Sequence, residues 1–359
     1  MERSKYPGLA AHPARVHLDA AAAFPVHERV VQAVHHAMTD TVASPGKAHY
    51  RGTHEVTHRV QWARRRVADF LGVAEDEIFF CASATDAVST LLRQYTSEYR
   101  QILYAPEDHL STLSALRVCD VPQRQLTYSA HGTYVPSTTL EGASLAVVSH
   151  VHHLYGAITC IENIRQAYPQ TRILLDISQA VGRMPLSLGH MKIEAAYFSG
   201  QKVGGIAGCG VIYIRREAQP QFRHLSQMQP NTLPYVPIMA MATAIDILDE
   251  YTPRRRYAYL AETTAEFIHL LQRSSRVVFT KGVAHQDIAC AGHGIVSFSV
   301  KGYSAKDVAM ILDDEGISVR AGDHCVDPRY ADRDAVRASW HCYATRDELR
   351  RAADVITAL

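Results

Sequence analysis

The sequence lacks an excess of either charge. Among 359 residues, 37 Lys and Arg face 36 Asp and Glu, a formal net charge of +1. That balance argues against a dedicated nucleic-acid binder, which needs clustered Lys and Arg. A long apolar run is also missing: nothing approaches the roughly 18 residues of a membrane span. Residues 1–25 hold no signal-peptide core, and Ala20–Ala23 is too short and too weakly apolar to supply one. Seven cysteines are scattered with no CxxC pair and no metal-ligand spacing. The expectation is a cytoplasmic protein in a reducing setting, whose thiols are mostly buried. There is no repeat, low-complexity tract or flexible linker. With 47% hydrophobic and 20% charged residues, the chain has enough apolar surface to exclude disorder. Its length fits about two domains.

Strand and helix patterns alternate along most of the chain. Short apolar runs at 77–80, 101–104, 144–148, 172–176, 195–199 and 210–213 read as strands. Amphipathic stretches at 27–39 and 54–71 read as helices, the second stopped by Gly72. This alternation predicts a mostly parallel sheet covered on both faces. Pro230, Pro234 and Pro237 mark a loop, followed by a helix over 238–250 and the run Arg254–Arg256, where the domain change is placed. The tail reads as a smaller α/β unit.

Chemistry concentrates between Ile173 and Gly210. Asp176 ends the apolar run of ILLDISQA, where an acid is costly unless a cation meets it. Lys202 lies in SGQKVGGIAGCG, after room for one helix and a return strand. Both therefore fall at one edge of the sheet, where open α/β sheets bind ligands. A lysine that forms a Schiff base and an aspartate that faces a pyridinium nitrogen make up the pyridoxal-phosphate arrangement. A lysine in a Gly-rich turn is, by itself, more often a solvated loop residue. The turn Ser83-Ala84-Thr85 follows a strand and opens a helix, so it suits a phosphate; it suits plain N-capping equally well. His150, His152 and His153 have no acidic or Cys partner at ligand spacing, and no metal site is expected.

Taken together, these pieces resemble the class V (fold type I) pyridoxal-phosphate enzymes, most closely the cysteine desulfurases and selenocysteine lyases. HLDAAAAFP resembles the family's LD-N-AATT-P opening, and FFCASATDAVSTL its phosphate turn. DISQAVGRMPL resembles DAAQAVGK-P, and SGQKVGG resembles SGHK–GP. The resemblance implies a large domain with a mostly parallel, seven-stranded-type sheet flanked by helices, plus a smaller C-terminal α/β domain. Residues 1–16 would pack on the small domain, 17–250 would bind the cofactor, and 251–359 would carry the nucleophile.

It further implies Lys202 as the Schiff-base lysine, with Ala84 and Thr85 at the phosphate. Asp176 and Gln179 would meet the ring, and His109 of PEDHLSTL would stack on it; Ser199, Gln201 and His153 complete the cofactor set. Asn231-Thr232 resembles a Gly-Thr loop that reaches the phosphate of a neighbouring subunit, so a homodimer is expected. Tyr50-Arg51-Gly52-Thr53-His54 and Arg320-Ala-Gly-Asp-His-Cys325-Val-Asp-Pro328 resemble segments of the type II desulfurases. They imply Cys325 as the nucleophile on substrate sulfur, with Arg51 and His324 at the substrate. Arg337, in VRASWHCYATRDELR, would bind the substrate carboxylate. The implied reaction turns L-cysteine into alanine and leaves a persulfide for an acceptor protein.

Four positions depart from the pattern: Gln201 for histidine, His153 for asparagine, Ala20 for asparagine and Asn231 for glycine. They leave open another class V reaction, such as transamination, C–S or β-elimination, or epimerisation, in which Cys325 is not the nucleophile. A catalytically silent binding protein that keeps the fold is the third reading.

Overall fold

The computed structural model describes the whole chain except residues 41, 47, 96–98, 129–133, 136–143, 231, 281–292, 328 and 331–334. Asn231, Pro328 and Cys290 therefore lie outside the described residues.

The larger sheet has seven strands: β1 Ile78–Cys81, β2 Gln101–Tyr104, β3 Gln123–Gln125, β4 Ser144–Ser149, β5 Thr171–Asp176, β6 Ala195–Ser199 and β7 Gly210–Ile214. Their order across the sheet is β1-β7-β6-β5-β4-β2-β3. All neighbours are parallel except β7, which runs antiparallel to β1 and β6. The central strands are buried on both faces, which explains their near-continuous apolar runs. Alternation still sorts the side chains. Ile173 and Leu175 of β5 join one core cluster, while Leu174 between them joins the other. Each such fully buried aliphatic side chain contributes about 1.5–3 kcal/mol.

Helices cover both faces. On one side lie α1 Glu28–Thr39, α2 Arg51–Leu71 and a later helix, Tyr235–Glu250; on the other lie α3 Ala84–Gln94 and α4 Leu110–Leu116. Helix α2 buries Val56, Val60, Ala63, Val67 and Leu71 along one stripe. Gly72 ends it in the left-handed region at φ 67°, the conformation a helix C-terminus favours. The sequence places Pro237 in a loop, yet it lies in the first turn of α5, Tyr235–Glu250. A missing N–H costs nothing there, since first-turn amides have no helical partner. Helix α4 and strand β3 were not foreseen. The first is short, and β3 is exposed and polar, so neither carries much hydrophobic period.

The C-terminal part forms a second sheet from β8 Val277–Phe279, β9 Ile295–Val300, β10 Arg320–Ala321 and β11 Val336–Ser339. Its order is β8-β9-β11-β10, all antiparallel. It carries helices α6 Pro253–Leu271, α7 Ala305–Asp314 and α8 Arg346–Ala358. Capping boxes start α7 and α8, at Ser304–Asp307 and Thr345–Glu348. The N-terminal segment crosses to this unit. Val16–His17 pairs with Ile317–Ser318, and Asp19 bridges to Ser339. The chain then turns back and delivers Ala21 and Ala22 to the large sheet.

Candidate active site

Strand register brings the functional residues to one level. Asp176 lies opposite Ser149 and Tyr197, while Gly210 lies opposite both Ser199 and Cys81. The strand ends thus open together on a cavity of about 410 Å³. The turn after β1 fits against β7 only because residue 210 is glycine. A Cβ there would stand 2.7 Å from the Ser83 carbonyl carbon and 2.9 Å from Cys81 Sγ.

The floor is built on strand ends. Asp176 is buried, and its Oδ1 accepts from the Ser178 amide at 2.8 Å. Burial pushes its carboxyl up, while Ser178 and the Lys202 charge pull it down. Lys202 occupies the single turn after β6. Its Nζ donates to the carbonyls of Ala21 at 2.6 Å and Ala22 at 3.2 Å. Gln179 Nε2 donates to the same Ala21 oxygen at 2.9 Å. Burial, helped by the Arg337 charge, lowers the Lys202 ammonium to about 8. Ser83 caps α3, its Oγ accepting from the Asp86 amide at 3.1 Å. The first amides of α3, on Ala84 and Thr85, have no partner within the helix and border the cavity.

The opposite wall comes from the C-terminal unit. Arg337 of β11 is buried. Its Nη1 donates to the His153 carbonyl at 3.0 Å, and its Nη2 to Asp19 Oδ1 at 3.0 Å. Its Nε is buried without a partner. Cys325 follows β10 in a loop, and Arg320 Nη2 lies 3.6 Å from its sulfur. The Cys325 backbone takes φ 59°, rare for a residue with a side chain. Asp323 Oδ1 accepts from the Cys325 amide at 2.7 Å, and the Leu110 amide donates to the Cys325 carbonyl at 2.8 Å. His324 Nε2 donates to the Ala335 carbonyl at 2.9 Å, and burial lowers its imidazolium to about 4.

Two histidines close the sides. His109 caps α4, its Nδ1 accepting from the Ser111 amide at 3.1 Å and from the Ser111 hydroxyl at 2.8 Å. The proton therefore sits on Nε2. Burial and the Lys202 charge lower this imidazolium to about 4, so the ring is neutral near pH 7. His153 Nε2 lies 2.9 Å from the His324 carbonyl, and the two rings of His109 and His153 meet edge to face at 5.1 Å. His152 spends Nε2 on the Glu107 carbonyl, at 2.9 Å.

Most of the residues singled out in the sequence line this one cavity: Ala84, Thr85, His109, His153, Asp176, Gln179, Ser199, Gln201, Lys202, His324, Cys325 and Arg337. Two do not. Arg51 is exposed at the start of α2 and pairs with Glu55 at 2.8 Å. Thr232 is exposed outside the cavity of its own chain. Sequence reasoning passed over three groups. Asp19 pairs with Arg337, and its charge inside an otherwise apolar stretch was the available signal. The Ala21 and Ala22 carbonyls and the Ser178 hydroxyl gave no signal, because alanine and serine carry little chemical pattern.

The sequence matches the family described as aminotransferase class-V over residues 16–351. The chain belongs to that family. A probable cysteine desulfurase of Aeropyrum pernix is 26% identical over 402 residues, covering 99% of this chain and 96% of that one. A cysteine desulfurase IscS of Pectobacterium carotovorum is 25% identical over 341 residues, covering 86% of this chain and 80% of that one. Among solved structures, the apo cysteine desulfurase of Thermococcus onnurineus shares the fold with a TM-score of 0.89 at 22% identity, covering 99% of this chain and 96% of that one. The desulfurase CsdA of Escherichia coli does so with a TM-score of 0.79 at 18% identity, covering 99% and 96%.

Class V enzymes use pyridoxal phosphate, and the donor set fits it. Asp176 is a desolvated acid in want of a cation, the α3 amides suit an anion, and Lys202 is an amine held near neutrality. Ser178 Oγ is buried in this cavity beside the Asp176 carboxyl, with no hydrogen bond of normal geometry, and remains available to a ligand.

Proposed function

We propose that this class V protein is a cysteine desulfurase that converts L-cysteine to L-alanine and collects the sulfur on Cys325. The carrying observation is the Cys325 thiol, 3.6 Å from the Arg320 guanidinium and in one cavity with Lys202 and Arg337. Arg337 binds the substrate carboxylate. Its Nε is free, and its other edge is already fixed by Asp19 and the His153 carbonyl. Pyridoxal phosphate, when bound, supplies an electron sink for the carbanion at Cα. Lys202 takes the Cα proton, as an amine near neutrality can. His109, a neutral ring with its Nε2 proton free of α4, bounds the site and excludes water. Arg320 stabilises negative charge on the Cys325 sulfur. That sulfur attacks substrate Sγ: an S–S bond forms, the Cβ–S bond breaks, and its electron pair stays with carbon, which picks up a proton to become alanine. Sulfur is oxidised and Cβ reduced, so no outside reductant enters.

The persulfide then passes to an acceptor protein. Residues 17–250 act as the cofactor domain and 251–359 as the nucleophile domain. The functional unit is a homodimer in the cytoplasm. Exposure of Thr232 and Arg51 away from their own cavity supports roles toward a second copy. Among the described residues, no helix is long and apolar enough to cross a membrane.

Gln201 beside Lys202 favours one competing reading, a class V transamination or elimination. Both readings are tested by incubating cofactor-loaded protein with L-cysteine and quantifying alanine, sulfide and pyruvate. Alanine from wild type and background levels from Cys325→Ala are expected. Full turnover by Cys325→Ala, or pyruvate as the main product, overturns the proposal.

A further inference from the structure

His153 joins the two walls of the cavity. Its Nε2 reaches the His324 carbonyl at 2.9 Å, a contact between residues 171 apart in sequence. A carbonyl only accepts, so Nε2 carries the proton and donates. Burial keeps the ring neutral, so this donor persists across the physiological range. His324 is one peptide from Cys325, whose left-handed backbone must be held by its surroundings. Hydrogen bonds from several sides hold it, among them Arg320 to the Asp323 carbonyl at 3.0 Å and His324 Nε2 to the Ala335 carbonyl at 2.9 Å. Asp323 takes the Cys325 amide from within the loop. The Leu110 amide and the His153 ring reach in from outside it. Leu110 acts through its backbone, and the Arg320 and His324 side chains belong to the segment 320–325 itself, so His153 is the side-chain donor that reaches it from the large sheet. The His153 carbonyl also accepts from Arg337 Nη1, which leaves that contact independent of the ring.

We propose that His153 is a positioning residue for the sulfur nucleophile: its Nε2–H clamps the His324 carbonyl and fixes where the Cys325 sulfur stands. This rests on Cys325 being the nucleophile. His153→Phe keeps a ring of similar size against His109 and removes the donor. His153→Gln keeps a donor of similar reach. His153→Asn is too short to reach and serves if the Phe variant does not fold.

The test is alkylation of the full-length protein with iodoacetamide, resolved by peptide, with the exposed Cys160 as internal reference. His153→Phe raises the Cys325 rate about fivefold, the scale of one lost hydrogen bond, and leaves Cys160 unchanged. His153→Gln stays within about twofold of wild type. With L-cysteine, kcat of the Phe variant falls about fivefold while KM holds, because the hydrogen bond from Arg337 to residue 153 is to its backbone carbonyl. Equal Cys325 rates in wild type and a folded Phe or Asn variant overturn the clamp, as does a Gln variant that behaves like Phe. If Cys325→Ala instead retains full turnover, the nucleophile assignment falls, while the labelling comparison still reads the clamp.

Discussion

The floor of the cavity and its far wall hold their functional groups by different means. On the floor, Asp176, Ser199 and Lys202 sit at or just past the ends of strands β5 and β6, which are buried on both faces along β6 and over Ile173–Asp176 of β5. Their positions follow from sheet register, and a sheet buried this way shifts little. The wall presents Arg320, Cys325 and Arg337 from short antiparallel strands and a loop pinned by single hydrogen bonds. On the proposed reading the floor would fix a ring and a proton, which tolerate no displacement. On the same reading the wall would bring a sulfur to a substrate and later offer it elsewhere, so separable ties suit it better than a buried sheet.

The comparison breaks most sharply at the floor. On the proposed reading, replacing Lys202 by alanine removes the group that would hold the cofactor and move the Cα proton. Desulfuration should fall on the order of 10³-fold or more, and the visible absorption of the bound cofactor should disappear. Iodoacetamide should still label Cys325 at a near-normal rate, since no hydrogen bond of its loop touches Lys202 among those described. Loss of Cys325 labelling in Lys202→Ala would show that the two regions are not separable in this way.

A change on the wall should act on binding. Arg337→Lys keeps the charge and loses the planar fork that reaches Asp19 and the His153 carbonyl at once. A hydrogen bond to a charged group contributes about 2 kcal/mol, so KM for L-cysteine should rise about 30-fold. The cofactor's absorption should stay as in wild type. An unchanged KM would move the carboxylate site away from Arg337.

The floor was also the more legible half. Strand runs such as ILLD and AAYFS announce themselves by unbroken hydrophobicity, and Asp176 and Lys202 are conspicuous because they interrupt small and apolar surroundings. Their shared level follows from the parallel register, which the strand–helix alternation implies. The wall was read only through resemblance. Periodicity says nothing of a loop whose shape depends on the Leu110 amide and the His153 ring, residues far off in sequence. Asp19 shows the same gap. It lies in the N-terminal segment, and its partnership with Arg337 exists only because Val16–His17 pairs with Ile317–Ser318. Neither α4 nor β3 had enough buried period to be seen, although α4 supplies the amide that holds Cys325.

The finest test compares how each region controls protonation. Burial lowers Lys202 to about 8, against about 10.4 for an unperturbed lysine. The neutral amine is the form that captures pyridoxal phosphate, so uptake by cofactor-free protein should climb with pH and level off above the folded value. From pH 7 to pH 9 the neutral fraction rises about tenfold for a group at 8, but about 100-fold, with no plateau, for an ordinary lysine. Stopped-flow absorption at several pH values separates the two curves. Arg337→Met should move the midpoint upward, because the neighbouring guanidinium is the second cause of the depression after burial. Cys325→Ser should move it less, since the thiol is the weakest of the named neighbours. A midpoint near 10 in wild type would mean that water reaches Lys202, and the floor would then be no drier than the wall.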